Sequence, residues 1–353
     1  MKIGILTFHC AYNFGAVLQC YALSEFLRCQ GYDVSIINYC PGYLETRPPH
    51  ATIRTFVNRH PRHSLKTYLR NFSYYHAYKR FIARSFQLTE RVENLEQYHS
   101  VVSKFDTIII GSDQVWNTKY NGQDPIWYGE GIDSNLRLVA YAVSAGDPNF
   151  TSGELEQLRA YLTRFSALSV REECLSDVIT PFTSLPITTV LDPSLMVPAD
   201  IWDKWSPSKK RYIVIYQARE DDNVFRMAES LSQQTGHPVI TLDYYGNSVR
   251  SGYHKVLSPA QFVSVIKSAY CVITTSFHGT AFSLILNTPF FTLRLRDGAD
   301  ARSESLLRLL NAEERMVDPN YEIDSVEMDF NDINVRLSAL RTQSQEFLLK
   351  SLQ

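Results

Sequence analysis

Apolar and polar positions alternate along the first forty residues in a strand, helix, strand pattern. The run KIGILTF predicts a buried strand, and HCAYNFG predicts the loop after it. The segment AVLQCYALSEFLRCQG has apolar residues at helical spacing and ends at Gly31, after which YDVSIINY predicts a second strand. This βαβ order predicts a parallel sheet, whose loops gather at the carboxyl ends of the strands. The dinucleotide fingerprint G-x-G-x-x-G is absent from this unit.

The same alternation continues along the chain. Further strands are predicted at FDTIIIGSDQVWN, RLVAYAVSAG, ALSVREE and ITTVLDPS, with a helix over 152–163. The pattern breaks near VPADIWDKWSPSKKR and then resumes, with strands RYIVIYQ, HPVITLD, YCVITTS and PFFTLR between helices over 222–235 and 259–268. It predicts two doubly wound α/β domains facing a cleft. We place them at residues 1–200 and 201–330, followed by a C-terminal helix at 331–353.

The first domain contains a basic, aromatic segment between residues 45 and 91. It holds ten Lys or Arg against two Glu, and we interpret it as part of a helical insertion over about residues 45–100. A solvated basic helix explains this composition, and the functional alternative is a surface that meets an anionic acceptor or an anionic membrane face. Nucleic acid is disfavoured, because the charge is local and the whole chain has a net charge of −2.

Composition limits the other possibilities. The chain has 353 residues, 44% of them hydrophobic, which is enough for two cores. Its start lacks signal-peptide features and no apolar run reaches the length of a membrane span, so we expect a cytoplasmic protein. The six cysteines show no C-x-x-C spacing and no matching histidine cluster, so we expect reduced thiols and no metal site. Cys10, in the first loop, is a weak candidate nucleophile.

The stretch ITTSFHGTAFSLILNTPFF places His278 at a turn between an apolar strand and an apolar helix. The first N–H groups of a helix lack intrahelical partners and carry the positive end of its dipole, so such a turn suits an anion. Ser276 is placed to cap this helix, and Gly279 would let a ligand approach the backbone. The alternative is that His278 is a hydrogen-bonded structural histidine.

Four turns are predicted to lie near the cleft: NFGA at 13–16, GSDQVWN at 111–117, SVREE at 169–173 and TSFHGTA at 275–281. Together they contain the Asp113 carboxylate, the Arg171 guanidinium and the His278 imidazole. Asp113 could equally cap a turn, and Arg171 could pair with Glu172, Glu173 or a remote acid. The chain has no G-x-S-x-G, H-E-x-x-H or G-x-x-x-x-G-K motif.

Five segments, in order, resemble the successive motifs of the polysaccharide pyruvyl transferase family: NFGAVLQCYAL, FDTIIIGSDQVWN, SVREE, VLDPSLM and TTSFHGTAFSLILNTPF. The resemblance covers roughly residues 1–310. It implies a GT-B-like pair of Rossmann-like domains, with an acceptor-side N-terminal domain and a donor-side C-terminal domain. It also implies that a pyruvyl group passes from phosphoenolpyruvate to two hydroxyls of a sugar as a ketal, without a cofactor. The expected acceptor is a sugar or a lipid-diphosphate-linked oligosaccharide of a capsular or exopolysaccharide, with 4,6-linked galactose as the example, handled at the inner face of the membrane.

The resemblance also suggests roles for individual residues. The histidine of the family matches His278, for which we predict contact with the donor phosphate and delivery of a proton, while Asp113 orients or deprotonates a sugar hydroxyl. Related enzymes often carry an arginine two residues before the histidine, where this chain has Ser276, so another cation must hold the donor. The predicted donor contacts are Arg171, Arg219, Ser276, Gly279, Thr280 and Arg294. The predicted acceptor contacts are Asn13, Gly15, Ser112, Gln114 and Trp116.

Two other functions remain open from the sequence. A glycosyltransferase that uses a nucleotide sugar could have the same two-domain plan, and it would need an acidic ribose ligand, for which Glu304 is a weak candidate. A domain that binds anionic glycans without catalysis would depend on the basic segment rather than on His278.

Overall fold

A computed structural model describes residues 1–44, 65–205, 212–242 and 257–353. Its strands form two parallel sheets, one of seven strands and one of five. The first sheet contains β1 (Lys2–Leu6), β2 (Asp33–Tyr39), β3 (Leu88–Val92), β4 (Thr107–Ile110), β5 (Arg137–Val143), β6 (Ala167–Val170) and β7 (Ile187–Thr189). The second contains β8 (Ile213–Tyr216), β9 (Val239–Leu242), β10 (Cys271–Thr274), β11 (Phe290–Leu293) and β12 (Met316–Val317).

The described helices follow the strands in chain order. Those that accompany the first sheet are α1 (Phe14–Cys29), α2 (Leu65–Ser85), α3 (Leu95–Val102), α4 (Ser152–Leu162), α5 (Glu173–Ile179), α6 (Pro193–Met196) and α7 (Asp200–Asp203). Those that follow are α8 (Asn223–Thr235), α9 (Pro259–Lys267), α10 (Phe277–Ile285), α11 (Ala301–Leu310) and α12 (Asn331–Ser351). Short 3-10 turns lie at Pro125–Tyr128, Thr180–Phe182 and Glu313–Arg315. None of the helices in these ranges is both long and apolar enough to cross a membrane.

Both sheets are doubly wound. The first has the order β3-β2-β1-β4-β5-β6-β7, and the second has the order β12-β11-β10-β8-β9. The direction of winding therefore reverses between β1 and β4 in the first sheet, and between β8 and β10 in the second. The predicted fold class of two doubly wound α/β domains is confirmed.

The central strands are apolar on both faces because helices cover both sides of each sheet. Every residue of β4 is buried, and so is every residue of β8 and of β10. This burial explains why these strands appear in the sequence as continuous apolar runs instead of alternating ones.

An apolar interface joins the two domains. Phe14, at the start of α1, stacks on Phe262 of α9 with ring centroids 4.6 Å apart, and Trp202 meets Phe282 of α10 edge-on at 5.0 Å. All four side chains belong to one continuous buried cluster. The interface brings the first turn of α1 close to the first turn of α10, and this contact forms one wall of the site described below.

The C-terminal helix α12 packs on the first domain. Ser344 Oγ accepts a hydrogen bond from the Leu191 N–H at 3.0 Å, and Arg341 Nε donates to the Leu195 carbonyl at 2.8 Å. Arg137 of β5 donates to the Ser351 carbonyl at 3.3 Å. The last helix thus fixes the segment between β7 and α6, which contributes an acidic residue to the site.

The basic segment lies only partly within the described residues, because 45–64 fall outside them. The part that is described forms α2, whose Tyr78 and Phe81 are buried among the core aromatics. The chain then forms β3, an edge strand of the first sheet, which the sequence pattern did not predict. Packing therefore accounts for these two aromatics of the segment.

Candidate active site

The candidate site lies where the winding of both sheets reverses. Helix α1 begins directly after the loop that follows β1, and Ser112 and Asp113 follow β4. In the second domain, α10 begins after β10, and Arg219 follows β8. A hydrogen bond joins the segments that follow β8 and β10, since the Arg219 N–H donates to Thr275 Oγ1 at 3.2 Å. In doubly wound sheets, ligands bind in the crevices at such reversal points.

His278 lies in the first turn of α10 and is 5% exposed. Its ring packs directly against the backbone of Gly15, because a β-carbon built on Gly15 would lie 2.0 Å from Nδ1 of the imidazole. Its Nε2 is 3.7 Å from Oδ2 of Asp192, within ion-pair distance but too far for a hydrogen bond. This Nε2 has no hydrogen-bond partner among the described residues. The histidine therefore bridges the two domains with one ring nitrogen still available.

Asp192 is fully buried at the N-cap of α6. Its Oδ1 accepts hydrogen bonds from the backbone N–H of Ser194 at 2.9 Å and from the hydroxyl of Ser194 at 2.6 Å. Its Oδ2 accepts from Arg171 at 2.7 Å and from Ser112 at 3.2 Å. Burial alone would raise the pKa of Asp192, but His278, Arg171 and the Ser194 hydrogen bonds outweigh it and hold the pKa well below its usual value. The carboxylate is therefore ionised at neutral pH.

Arg171 follows β6 and is surrounded by carboxylates. Besides Asp192, its nitrogens lie 3.6 Å from Asp113 and 3.9 Å from Glu172. Burial opposes its charge, yet the three carboxylates raise the pKa of Arg171 above its ordinary value. Its Cζ lies 4.7 Å from the ring centroid of Phe277, the residue before His278. Nε and Nη2 of Arg171 have no hydrogen-bond partner in the described part of the chain.

Glu172 is fully buried and shapes the turn after β5. Its Oε1 accepts hydrogen bonds from Ser144 Oγ at 2.8 Å, from Ala145 N at 3.0 Å and from Gly146 N at 3.2 Å. Burial raises the pKa of Glu172 above its ordinary value, although Arg171 and these donors oppose the rise. Its Oε2 lacks a hydrogen-bond partner within the described ranges.

Arg302, in the first turn of α11, adds a second guanidinium. Its Cζ is 5.7 Å from the ring centroid of Phe277, so it approaches the same aromatic ring as Arg171. Burial and the positive charges of Arg171 and Arg219 lower the pKa of Arg302 to about 10, while Glu172 and Asp113 oppose this fall. Arg302 makes no ion pair with any carboxylate in the described residues, and its buried Nε has no hydrogen-bond partner there. Arg302 is partly exposed, but a charged group whose Nε is buried in this state is costly unless an anion is bound beside it.

Several buried polar atoms near Phe277 thus lack protein partners. They are Nε and Nη2 of Arg171, Oε2 of Glu172, Nε2 of His278 and Nε of Arg302. Most buried polar atoms in proteins are hydrogen-bonded, so a group of exceptions in one place indicates a ligand site. Two guanidinium groups and an imidazole suit an anion, and the imidazole and the carboxylates can exchange protons with it. The carboxylates contact Arg171, and none of them belongs to a metal-binding group among the described residues.

A family model described as polysaccharide pyruvyl transferase matches residues 13–296 of this chain. The chain belongs to the polysaccharide pyruvyl transferase family. The matched range includes the turns that carry Gly15, Asp113, Arg171, Asp192 and His278. No curated protein matches the sequence significantly.

Solved structures resemble this chain along most of their length at low sequence identity. They include a UDP-GlcNAc 2-epimerase from Methanocaldococcus jannaschii in complex with UDP-GlcNAc and UDP, with 12% identity, a TM-score of 0.48 and coverage of 100% of this chain and 99% of that one. A UDP-N-acetylglucosamine 2-epimerase from Rickettsia bellii has 14% identity and a TM-score of 0.47, and the match covers 99% of this chain and 96% of that one. UGT89C1 from Arabidopsis thaliana has 12% identity and a TM-score of 0.47, and the match covers 99% of this chain and 92% of that one.

The fold brings together several residues that the sequence singled out. Asp113 contacts Arg171, and Ser112 contacts Asp192, next to His278. Asp113 has a left-handed backbone with φ of 67°, which directs the chain sharply after β4. Gly15 has a different role from the predicted acceptor contact, because its missing side chain makes room for the imidazole.

Most of the predicted donor contacts at the start of α10 already contact other residues of the protein. Ser276 stands at the N-cap but makes no side-chain capping bond, contrary to the sequence expectation. A β-carbon on Gly279 would lie 2.2 Å from Thr274 Oγ1, so this glycine is required for packing of the helix on β10. Thr280 is buried, and its hydroxyl is 2.6 Å from that of Thr292.

The predicted donor arginines differ in their surroundings. Arg219 binds the Thr275 carbonyl at 3.1 Å and Asp300 at 2.8 Å, and it also pairs with Asp297. It is therefore at the edge of the site with its charge largely compensated. Arg294 pairs with Glu304 at 3.3 Å, so the weak ribose-ligand candidate of the alternative function is already engaged.

Three predicted acceptor contacts have local structural roles. Asn13 caps α1 by accepting from the Ala16 N–H at 3.2 Å. Gln114 is half-buried, and its Oε1 accepts from Asn117 at 2.8 Å. Trp116 is fully buried and donates its indole N–H to the Trp127 carbonyl at 3.0 Å. Packing explains Trp116, since none of its surface is open to a sugar.

Sequence reasoning missed Asp192 and Arg302 as site residues. Asp192 stands in the motif VLDPS, and an aspartate followed by Pro and Ser signals a helix N-cap, which it is. Only its contact with Arg171 reveals the second role. Arg302 has no sequence signal, because it is one of several polar residues on an amphipathic helix and its position depends on how α11 packs.

Proposed function

We propose that this chain transfers the pyruvyl group of phosphoenolpyruvate to two hydroxyls of one sugar, forming a cyclic ketal and releasing phosphate. The observation that carries the proposal is the guanidinium of Arg302, which has no ion-pair partner among the described residues and lies against the same ring as Arg171. Phosphoenolpyruvate carries both a carboxylate and a phosphate, and guanidinium groups bind either of them in a bidentate manner.

In this proposal Arg302 binds the donor directly. The Nη1 of Arg171 is already used by Asp192, so Arg171 contributes its remaining nitrogens, Nε and Nη2, and its charge. The first turn of α10 adds backbone N–H groups and the positive end of its dipole. Arg302 thus provides a cation in place of the arginine that related enzymes carry two residues before the histidine.

His278 is the proposed proton donor. The reaction adds a proton to the methylene carbon of the donor, which becomes a methyl group, and the first sugar hydroxyl attacks the adjacent carbon. The bond from that carbon to the phosphate oxygen then breaks, and the second hydroxyl completes the ketal. The two hydroxyls lose two protons, of which one balances the new methyl group and the other leaves with hydrogen phosphate. Nε2 of His278 is the available nitrogen for this transfer, and the ionised Asp192 compensates the positive charge of the protonated ring.

Asp113 is the proposed residue that orients or deprotonates a sugar hydroxyl. Its carboxylate lies at the end of β4, on the first-domain side of the site, 3.6 Å from Arg171. A carboxylate in this position can accept a proton as the hydroxyl attacks, and His278 can supply one from the other side. The proposed acceptor therefore enters along the first domain.

A basic cavity suits the anionic part of a lipid-diphosphate-linked acceptor. It has a volume of about 500 Å³ and is lined by Arg80 and Arg84 of α2, by Lys204, and by Trp205 and Phe81 among others. Changing both Arg80→Gln and Arg84→Gln should raise KM for a diphosphate-linked acceptor about tenfold and leave KM for a neutral sugar unchanged. Arg159→Gln, at an exposed position of α4, is the control. Contact between the basic segment and a membrane stays a prediction.

The test is to incubate the protein with phosphoenolpyruvate and a galactoside whose 4- and 6-hydroxyls are free, and to measure phosphate release together with the ketal methyl signal by NMR. We expect both only when donor and acceptor are present, and we expect neither from a folded His278→Gln variant. Consumption of a nucleotide sugar without formation of a pyruvyl product would instead support a glycosyltransferase. Full turnover by His278→Gln would remove this histidine from the mechanism.

A further inference from the structure

Three potential metal ligands meet next to the candidate active site, although the sequence places them apart. His9 and Cys10 lie in the loop between β1 and α1, and Cys40 follows β2. Because β1 and β2 are parallel neighbours, their carboxyl ends lie side by side. The imidazole and the two sulfurs have ligand atoms that all lie within 4.8 Å of one another. Cys10 and Cys40 are 30 positions apart in the sequence, which explains why no motif was visible.

The distance between one pair of these ligand atoms agrees with that of a tetrahedral zinc site, and the other pairs lie within 4.8 Å. Zinc bonds of about 2.3 Å to sulfur and about 2.0 Å to nitrogen, at tetrahedral angles, place the two donor atoms about 3.5 Å apart. Nε2 of His9 is 3.6 Å from Sγ of Cys40. Thiolate and imidazole are also the ligand types that zinc selects.

The hydrogen bonding of His9 also agrees with a role as a metal ligand. Its Nδ1 lies 3.2 Å from the Thr7 carbonyl, which can only accept a hydrogen bond, so the ring proton is on Nδ1. The lone pair of Nε2 then faces Sγ of Cys40 and also Oδ1 of Asn38, which is 3.4 Å away. The Cys40 thiol lies at hydrogen-bond distance from this Nε2 and from this Oδ1, and after loss of its proton the thiolate, Nε2 and Oδ1 could coordinate one cation instead. A backbone carbonyl that fixes the tautomer in this way is the usual outer contact of a metal-binding histidine.

The surroundings resemble those of a structural metal site. His9 and Cys10 are buried, and Cys10 belongs to an apolar cluster that includes Phe8. Cys40 is only half-buried, so ions can reach the group from its side. None of the six cysteines forms a disulfide in this structure, so both sulfurs can be deprotonated to the thiolates that bind metals.

We propose that His9, Cys10 and Cys40 bind one zinc ion per chain, with the fourth position beside Oδ1 of Asn38. The ion would tie the loop after β1 to the end of β2. That loop leads directly to Gly15, which packs on His278, and the Thr7 hydroxyl in it donates to the Ser112 carbonyl at 2.9 Å. The site is structural: it holds the first-domain wall of the active site in place and takes no part in the reaction.

The test is metal analysis of the purified full-length chain, followed by titration of metal-free protein with zinc against a chromogenic chelator and with cobalt as a spectroscopic probe. We expect one equivalent of zinc. We also expect cobalt to give a thiolate charge-transfer band and the visible bands of tetrahedral coordination. Zinc that binds only the folded chain should raise the melting temperature progressively as the free zinc concentration increases, and the rise should continue, logarithmically, after the site is saturated.

Variants at the cysteines assign the ligands. Cys10→Ser and Cys40→Ser should each lose the stoichiometric zinc and weaken the charge-transfer band. Cys29→Ser and Cys174→Ser, which lie outside the group, should keep both. Circular dichroism checks that each variant is folded. If a variant does not fold, the cobalt spectrum of the wild-type protein still shows whether thiolates bind the metal.

Three results would overturn the proposal. The first is wild-type protein that binds neither zinc nor cobalt in competition with the chelator. The second is retention of the metal by both Cys10→Ser and Cys40→Ser. The third is a Cys10–Cys40 disulfide that persists in protein purified with a reductant. None of these results would bear on the proposed pyruvyl transfer, which the donor and acceptor assays test separately.

Discussion

Gly15 of the first domain and His278 of the second are in direct contact, so closely that a β-carbon on Gly15 would overlap the imidazole at 2.0 Å from Nδ1. The contact joins the first turns of two helices that follow the central strands of different sheets. In this position the Nε2 of the ring lies 3.7 Å from Oδ2 of Asp192. The position of the proposed proton donor therefore depends on a glycine in the other domain.

Gly15→Ala should displace the imidazole and lower kcat about 100-fold, because a shift of about 1 Å in a reacting group costs that much. Alanine favours helices more than glycine does, so helix propensity would not explain the loss. Gly153→Ala, where an added β-carbon meets nothing within 4 Å, is the matched control and should keep full activity. Steady-state kinetics alongside thermal unfolding checks this, and a fully active Gly15→Ala enzyme would contradict the placement of His278.

Arg302→Met should weaken phosphoenolpyruvate binding by about 10- to 100-fold, as expected from the loss of hydrogen bonds to a charged group. The same change should raise the melting temperature of the free protein, because it removes a partly buried charge that lacks an ion pair in the described residues. Arg308→Met is the control on the same helix, since Arg308 is exposed and pairs with Glu173 at 3.7 Å. Weaker binding together with lower stability would mean that Arg302 is structural.

Asp192→Asn should lower the free energy of unfolding by about 3 to 5 kcal/mol at pH 7, because it leaves Arg171 short of a buried partner. The folded-state pKa of Asp192 is depressed, so its contribution is present above the unfolded value of about 3.9 and is lost as pH falls through the folded value. Denaturant unfolding of both proteins from pH 7 downward checks this. The difference between them should stay constant down to about pH 4 and shrink below it, and a difference that grows in acid would refute the assignment.

Glu172→Gln should raise the melting temperature at pH 8, and this gain should vanish near pH 4. The folded-state pKa of Glu172 is raised, so the wild type is relatively most stable below the unfolded value of about 4.3 and loses stability as pH rises through the folded value. The glutamine carbonyl can still accept the bonds from Ser144, Ala145 and Gly146. Glu173→Gln, at an exposed neighbouring position, is the control and should change the melting temperature little. A Glu172→Gln variant that is less stable than the wild type at pH 8 would show that the ion pair between Glu172 and Arg171 outweighs the cost of burying the charge.

The sequence predicted most of the elements because each carries a local signal. The central strands are continuous apolar runs, and the helices over 152–162, 223–235 and 259–267 agree with the predicted ranges within one residue at each end. The edge strand β3 and the two-residue β12 escaped prediction, since neither has a run long enough to separate it from its surroundings. Helix α12 was predicted, but its packing on the first domain depends on contacts far apart in the chain.

The site was predictable only where a residue stands at a turn with a visible pattern. His278, Asp113 and Arg171 each follow an apolar strand, and parallel sheets gather such turns at one edge. The same reasoning assigned Trp116 to the acceptor, because a sequence cannot show that an aromatic side chain in a turn folds back into the core. Arg302 and the group at His9, Cys10 and Cys40 become visible only when separate elements are brought together.

The most direct measurement of the central claim is a calorimetric titration of the purified protein with phosphoenolpyruvate, with a panel of nucleotide sugars as the matched comparison. Donor binding can be measured without knowing the acceptor. We predict saturable binding of one phosphoenolpyruvate per chain, weakened in Arg302→Met and unchanged in Arg308→Met, and no binding of any nucleotide sugar. Saturable binding of a nucleotide sugar, with none of phosphoenolpyruvate, would contradict the account.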